Sequence, residues 1–309
     1  MSVRRPAAGF TLAELLVAAA ITLGLGALAL GLAVHALEHW RRWEGEAIAE
    51  TNGRLALDVL ARDVQGALHR ADGGTWLAAA ILNSPDELAD RHGWRVNSVP
   101  PGRIKPAGAS SVRAMVTGPI AYGRFGLGGA WLRWFTLDHA GLPTAVSYQI
   151  CRLPLGPSAD IPDAPRYVFV RRANDQVLDR GTDLSSGYSD LEVPAVADIL
   201  AGDVVDFGVR LFVRDRDAPD GLRQVYPRAD DDPAGYLATG RGVAATGNVF
   251  PEVGDFMLRV LTTEGADLVA NLESGRGRST RADDDEWWRV VERNSVVQVR
   301  RVEFKAGAP

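Results

Sequence analysis

The 309-residue chain has a single cysteine, Cys151, so it cannot form an intramolecular disulfide bond. An exported domain of this chain must therefore be stabilised by its core, for which 46% hydrophobic residues are sufficient. The sequence also lacks a basic patch or stripe of the kind that binds nucleic acid, and its formal net charge is −5. These absences argue against a disulfide-stapled scaffold and against a nucleic-acid partner.

The common short catalytic motifs are missing as well. There is no His-Glu-x-x-His, no paired Cys-x-x-Cys, no Gly-x-Ser-x-Gly and no Walker loop. Residues 215–221 resemble half of a calcium loop but lack its bidentate acid, so a polar turn is expected there. The acidic run 230–232 is likewise interpreted as a solvated loop. We expect no enzymatic activity, no cofactor and no metal site.

Carboxylates are nearly absent from a long apolar run, because Glu14 is the only one in the 28 residues from Phe10 to Leu37. A charge in such a segment costs about 2.5 to 3.5 kcal/mol on membrane-insertion scales, so Glu14 requires an explanation. The preceding residues carry Arg4 and Arg5 and no acid, and the positive-inside rule places them in the cytoplasm. The chain beyond Leu37 would then lie outside.

Gly9 and Phe10, followed by Thr11, Leu12 and Glu14, resemble the class III signal of type IV pilins and type II secretion pseudopilins. That signal has a short basic leader, a glycine, the pattern Phe-Thr-Leu-x-Glu and a hydrophobic helix. The resemblance implies that a membrane-embedded prepilin peptidase cleaves between Gly9 and Phe10 and methylates the new amino terminus of Phe10. It also implies that Glu14 serves in filament assembly.

Three other interpretations apply to the same segment. A secretory signal peptide would have a shorter apolar region, of about 7 to 15 residues, although residues 34–36 offer a small-residue cleavage site before Leu37. A twin-arginine export signal would need more of its pattern than the arginine pair of the leader. A plain single-pass anchor explains the length, since about 20 apolar residues span a bilayer, but it does not explain Glu14.

Tryptophans and basic residues cluster directly after the apolar run, within residues 40–43. Indole rings favour the headgroup level and long basic side chains extend toward it, so this cluster predicts the outer membrane–water boundary. His35 and His39 are four residues apart, as two metal ligands on one helix face would be. A third ligand is missing nearby, which favours interfacial histidines over a metal site.

No proline interrupts the chain from Phe10 to Asp72, and we expect one helix from about Phe10 to His69. Residues 10–37 form its transmembrane and filament-core half, and residues 38–70 form an amphipathic half that packs on the globular domain. The leader is residues 1–9, and the exported globular domain is residues 71–309. The apolar residues at helical spacing in the second half are Leu57, Leu60, Val64 and Ala67.

Beyond the helix the pattern changes to short strands separated by loops rich in glycine, proline and aspartate. Alternation along the strand 204–214 predicts one buried and one solvated face. Asp283 and Glu286 have capping-box spacing at a helix start. The expected fold class is α+β, a pilin-like fold with a long N-terminal transmembrane α-helix packed on antiparallel β-sheet structure. The other predicted strands are 112–117, 131–137, 145–151, 167–172, 256–263 and 296–304.

Arg62 and Asp63 resemble the arginine–aspartate pair at this point in J-type minor pseudopilins and W-type minor pilins. A solvated charge pair on an amphipathic helix explains the same two residues. Residues 250–262, with Trp287 and Trp288 beyond them, also resemble a pilin-like group known as cassette protein C of Verru_Chthon type. This second resemblance implies the same biochemical role and leaves open whether the partners are those of a standard secretion system.

The resemblance implies a non-enzymatic minor pilin or pseudopilin subunit near the tip of a type IV pilus or type II secretion pseudopilus. Its expected partners are the prepilin peptidase, other pilin or pseudopilin subunits, the inner-membrane assembly platform and the membrane, with no nucleic acid. We expect a single-pass protein of the inner membrane, with a cytoplasmic N-terminus before cleavage and a periplasmic or extracytoplasmic domain. The alternative is an exported enzyme or binding module that uses a pilin-type anchor.

Overall fold

The computed structural model describes residues 11–69, 74–81, 130–138, 140–154, 165–174, 196–226, 236–238, 249–273 and 284–305. The chain divides into two compact units, residues 1–45 and 46–309. The predicted strand at 112–117 and the acidic run 230–232 lie outside the described residues.

Helix α1 (Leu12–Gln65) is a single α-helix of 54 residues. It contains no proline and is rich in alanine and leucine, which have high helix propensity. It ends four residues before the predicted end at His69. The chain turns at Gly66, and the backbone N–H of Leu68 donates to the carbonyl of Phe135, 2.7 Å away, instead of continuing the helical ladder. A backbone hydrogen bond to the β-domain therefore takes the place of the last predicted helical turn.

The part of α1 in the first unit has its apolar side chains exposed. An 18-residue window of this helix has a mean hydropathy of 2.4, and none of that window is buried inside the protein. By length and composition the helix is sufficient to cross a membrane. Leucines at every turn are more than half exposed, including Leu12, Leu16, Leu23, Leu28 and Leu32.

In the second unit, α1 buries one face. The predicted apolar positions Leu57, Leu60 and Val64 are each at most 3% exposed, which confirms their helical spacing, and Ala67 is also buried but lies beyond the end of α1. Gly53 lies on the same face, where an added Cβ would come within 3.1 Å of side-chain atoms of Val260 and Gln298. The buried stripe therefore packs this half of the helix against β-structure.

Within the described ranges, the strands form two antiparallel sheets. The strands are β1 (Leu77–Ile81), β2 (Ala130–Leu137), β3 (Pro143–Pro154), β4 (Pro165–Asn174), β5 (Ile199–Gly202), β6 (Val204–Arg214), β7 (Leu222–Tyr226), β8 (Tyr236–Ala238), β9 (Val253–Leu261) and β10 (Ser295–Glu303). The six-stranded sheet has the order β5-β4-β3-β2-β1-β8, and the four-stranded sheet has the order β10-β9-β6-β7. A short 3₁₀-helix at Val196–Asp198 precedes β5.

The core lies where the two sheets and α1 meet. Phe169 of β4 and Phe207 of β6 bring the two sheets together, with ring centroids 4.8 Å apart. Trp134 of β2 stacks on Tyr148 of β3 with the rings nearly parallel, at 8° and 5.1 Å. Strands β2 and β3 form an antiparallel hairpin, and the Asp138 carboxylate closes its turn by accepting the N–H of Leu142. The described architecture is α+β, with a long helix on antiparallel sheets.

The predicted burial of strand β6 is wrong. Strand β6 was expected to solvate one face, but ten of its eleven residues are not exposed, and Asp206 and Arg210 are 0% and 6% exposed. The physical reason is charge pairing across strands. In the register of β6 with β9, Asp206 lies opposite Arg259 and Arg210 lies opposite Asp255, and the Asp255 carboxylate forms a salt bridge with Arg301 of β10.

Two further helices connect β9 to β10. Helix α2 (Thr263–Glu273) is capped by Thr262, whose hydroxyl oxygen accepts the N–H of Gly265 at 3.1 Å. Helix α3 (Asp284–Arg293) begins one residue after Asp283, so its start lies where the sequence predicted one. Asp283 itself lies outside the described residues, and the capping box proposed for it is not described.

Candidate functional site

The start of α1 is organised by a reciprocal contact between Thr11 and Glu14. Thr11 donates its backbone N–H and its hydroxyl to Oε2 of Glu14, at 2.9 Å and 3.0 Å. The N–H of Glu14 donates in return to the hydroxyl oxygen of Thr11, at 3.3 Å. This is a capping box, in which two helix-terminal donors that lack intrahelical partners are satisfied by side chains.

The capping box gives Glu14 a local structural role that was not predicted, although the sequence carries its signature. Thr11 and Glu14 are three residues apart and directly precede an apolar run, which is the sequence signature of such a box. The neighbouring side chains are apolar and exposed, with Leu12 81% and Leu15 65% exposed. The Glu14 carboxylate therefore lies on an apolar helix, and among the described residues its hydrogen bonds come only from the terminus of that helix.

Both hydrogen bonds from Thr11 end on Oε2 of Glu14. Among the described residues, none donates to the other carboxylate oxygen, Oε1. A carboxylate has about four lone-pair sites, so the capping box leaves capacity for a further donor. Gly9 and Phe10, the predicted cleavage and methylation residues, lie outside the described residues.

The boundary cluster predicted after the apolar run is exposed along the helix. Trp40 and Trp43 are each 68% exposed. The Nδ1 of His35 lies 3.6 Å from a carboxylate oxygen of Glu38. Over the part of the chain that the structure describes, no three histidine, cysteine or acidic side chains come together to hold a metal ion.

Asp63, near the end of α1, is the buried polar centre of the helix–sheet contact. Its Oδ2 accepts a hydrogen bond from the Tyr148 hydroxyl and one from Nε of Arg171, each at 2.6 Å. Its backbone carbonyl accepts the Trp134 indole N–H at 3.1 Å and the Thr136 hydroxyl at 2.9 Å. Strands β2, β3 and β4 thus all bind one residue of the helix.

The Asp63 cluster perturbs its neighbours electrostatically. Burial raises the pKa of the Tyr148 hydroxyl well above its usual value, and the adjacent negative charge of Asp63 raises it further. Burial opposes the charged form of Arg171, but its hydrogen bond and attraction to Asp63 raise the pKa of the guanidinium overall. Tyr148 therefore stays a protonated donor and Arg171 a cation, the two states that hold the Asp63 carboxylate.

This geometry tests one interpretation of Arg62 and Asp63, that of a solvated charge pair. Arg62 is exposed, whereas Asp63 is only 8% exposed and pairs with Arg171 on β4, 108 positions away in the chain. A solvated charge pair is therefore wrong for Asp63. The sequence contained a usable signal, because Asp63 follows Leu60 by three residues and so falls on the buried apolar stripe.

The loop that resembled half of a calcium site is a polar turn. The Asp215 carboxylate accepts the backbone N–H of Asp217 at 3.1 Å and pairs with Nε of Arg223 at 3.0 Å. Gly221 closes the turn with a φ of 67°, a left-handed conformation that favours glycine. The carboxylate that would ligate a cation is therefore occupied by groups of its own hairpin.

The chain matches no protein-family model, no curated protein and no solved structure.

Proposed function

We propose that this chain is a non-enzymatic minor pilin or pseudopilin, anchored by α1 and assembled near the tip of a type IV pilus or a type II secretion pseudopilus. The observation that carries the proposal is Glu14, an acid at the exposed apolar start of a 54-residue helix. The helix is long enough to serve two roles: its first half is available to a bilayer or a fibre, and its second half is seated on the β-domain.

The proposed role of Glu14 follows from the energetics of a carboxylate in an apolar medium. The capping box satisfies Oε2 but supplies no positive charge. A charged group in lipid is favoured when it meets a cation, and in a filament the available cation is the amino group of a cleaved Phe10 on a neighbouring subunit. This pairing would draw the subunit from the bilayer into the fibre and set its axial register.

The β-domain supports the proposal through its size and its rigid attachment to the helix. The domain following α1 is large for a repeating subunit, which favours a component that occurs once or a few times near the tip. Asp63 ties the second half of α1 to three strands of the domain. Prepilin peptidase, other subunits and the inner-membrane assembly platform are the partners of this proposal.

Mass spectrometry of the protein isolated from its membrane tests the proposal directly. The expected result is a mature chain that begins at Phe10 and carries a methyl group on its amino terminus. A terminus at Leu37 would indicate a secretory signal peptide, and an uncleaved chain would indicate a plain anchor. Either result would contradict the proposal.

A further inference from the structure

We draw no further inference here: the strongest candidate, the buried cluster of Arg133, Ser147 and Gln149 on the face of the six-stranded sheet that points away from Tyr148, carries none because nothing in the described part of the structure shows what covers it.

Discussion

Asp63 on α1 and Arg171 on β4 form an ion pair at the helix–sheet contact, with Nε of Arg171 2.6 Å from Oδ2 of Asp63. The side chains are 10% and 26% exposed, so the pair is shielded from water mainly on the aspartate side. Tyr148 donates to the same oxygen from β3. A single carboxylate oxygen therefore connects the helix to two neighbouring strands.

The substitution Asp63→Asn should lower the free energy of unfolding by about 2 to 3 kcal/mol. Removing one partner of a buried pair leaves the other charge uncompensated, and the partial exposure of Arg171 moderates the cost. Urea denaturation of the full-length chain in detergent measures it. The control Arg62→Ala, at the adjacent exposed position, should change stability by less than about 0.5 kcal/mol. Equal effects of the two substitutions would contradict a buried role for Asp63.

The substitution Tyr148→Phe should cost about 2 kcal/mol near neutral pH, because it removes a hydrogen bond to a carboxylate and keeps the stacking on Trp134. The pKa of Tyr148 is raised in the folded chain, so its contribution is complete below about pH 10 and is lost as the pH rises further. The stability difference between wild type and variant should therefore shrink above pH 10 by about 1.4 kcal/mol per pH unit. Urea titrations at pH 8, 10 and 11 check this, and a constant difference would rule it out.

The substitution Gly53→Leu should destabilise the second unit by about 2 kcal/mol, since a Cβ there already lies 3.1 Å from Val260 and Gln298 and the remaining side chain has no space. Thermal unfolding followed by circular dichroism measures the effect. Arg54→Leu, at the next and exposed helix position, is the matched control and should be nearly neutral. If both variants melt at the same temperature, close packing at Gly53 is not what seats the helix.

The substitution Glu14→Leu should leave membrane insertion intact and abolish incorporation into filaments. It removes the proposed partner of the neighbouring amino terminus and makes the segment more apolar, which favours insertion. Membrane fractionation and immunoblotting of sheared filaments give the two readouts. Glu46→Leu, at an exposed acid farther along α1, should assemble as wild type does. Normal assembly of Glu14→Leu would refute the proposed pairing.

Replacing Gly9 with leucine should block cleavage while leaving insertion unchanged, because the peptidase must accommodate that side chain at the scissile bond. The precursor should then run about 1 kDa larger on gels, as expected for nine retained residues of a 309-residue chain of 33.2 kDa. The control Ala8→Leu places the same side chain one residue earlier and should be cleaved. Cleavage of the Gly9→Leu precursor at Phe10 would show that the glycine is not required.

The strand order could not be predicted from the sequence, although most strands in the described ranges could. Segments 131–137, 145–151 and 167–172 are strands because local alternation and flanking turn residues mark them. The register of β6 with β9 places oppositely charged residues opposite each other, some 45 to 53 positions apart in the chain. The two on β6, Asp206 and Arg210, lie on its buried polar face. Local pattern does not report such distant pairs, which is why the strand was expected to be solvated on one side.

In the candidate site, too, some features follow from the sequence and others only from the tertiary structure. The sequence alone determined the uninterrupted helix, its exposed apolar half and the acid at its start, because helix propensity, hydropathy and capping act over a few residues. Only the tertiary structure decided that Asp63 is buried and that Tyr148 and Arg171 bind it. Those relationships join residues from separate strands, and they exist only once the sheets bring the strands together.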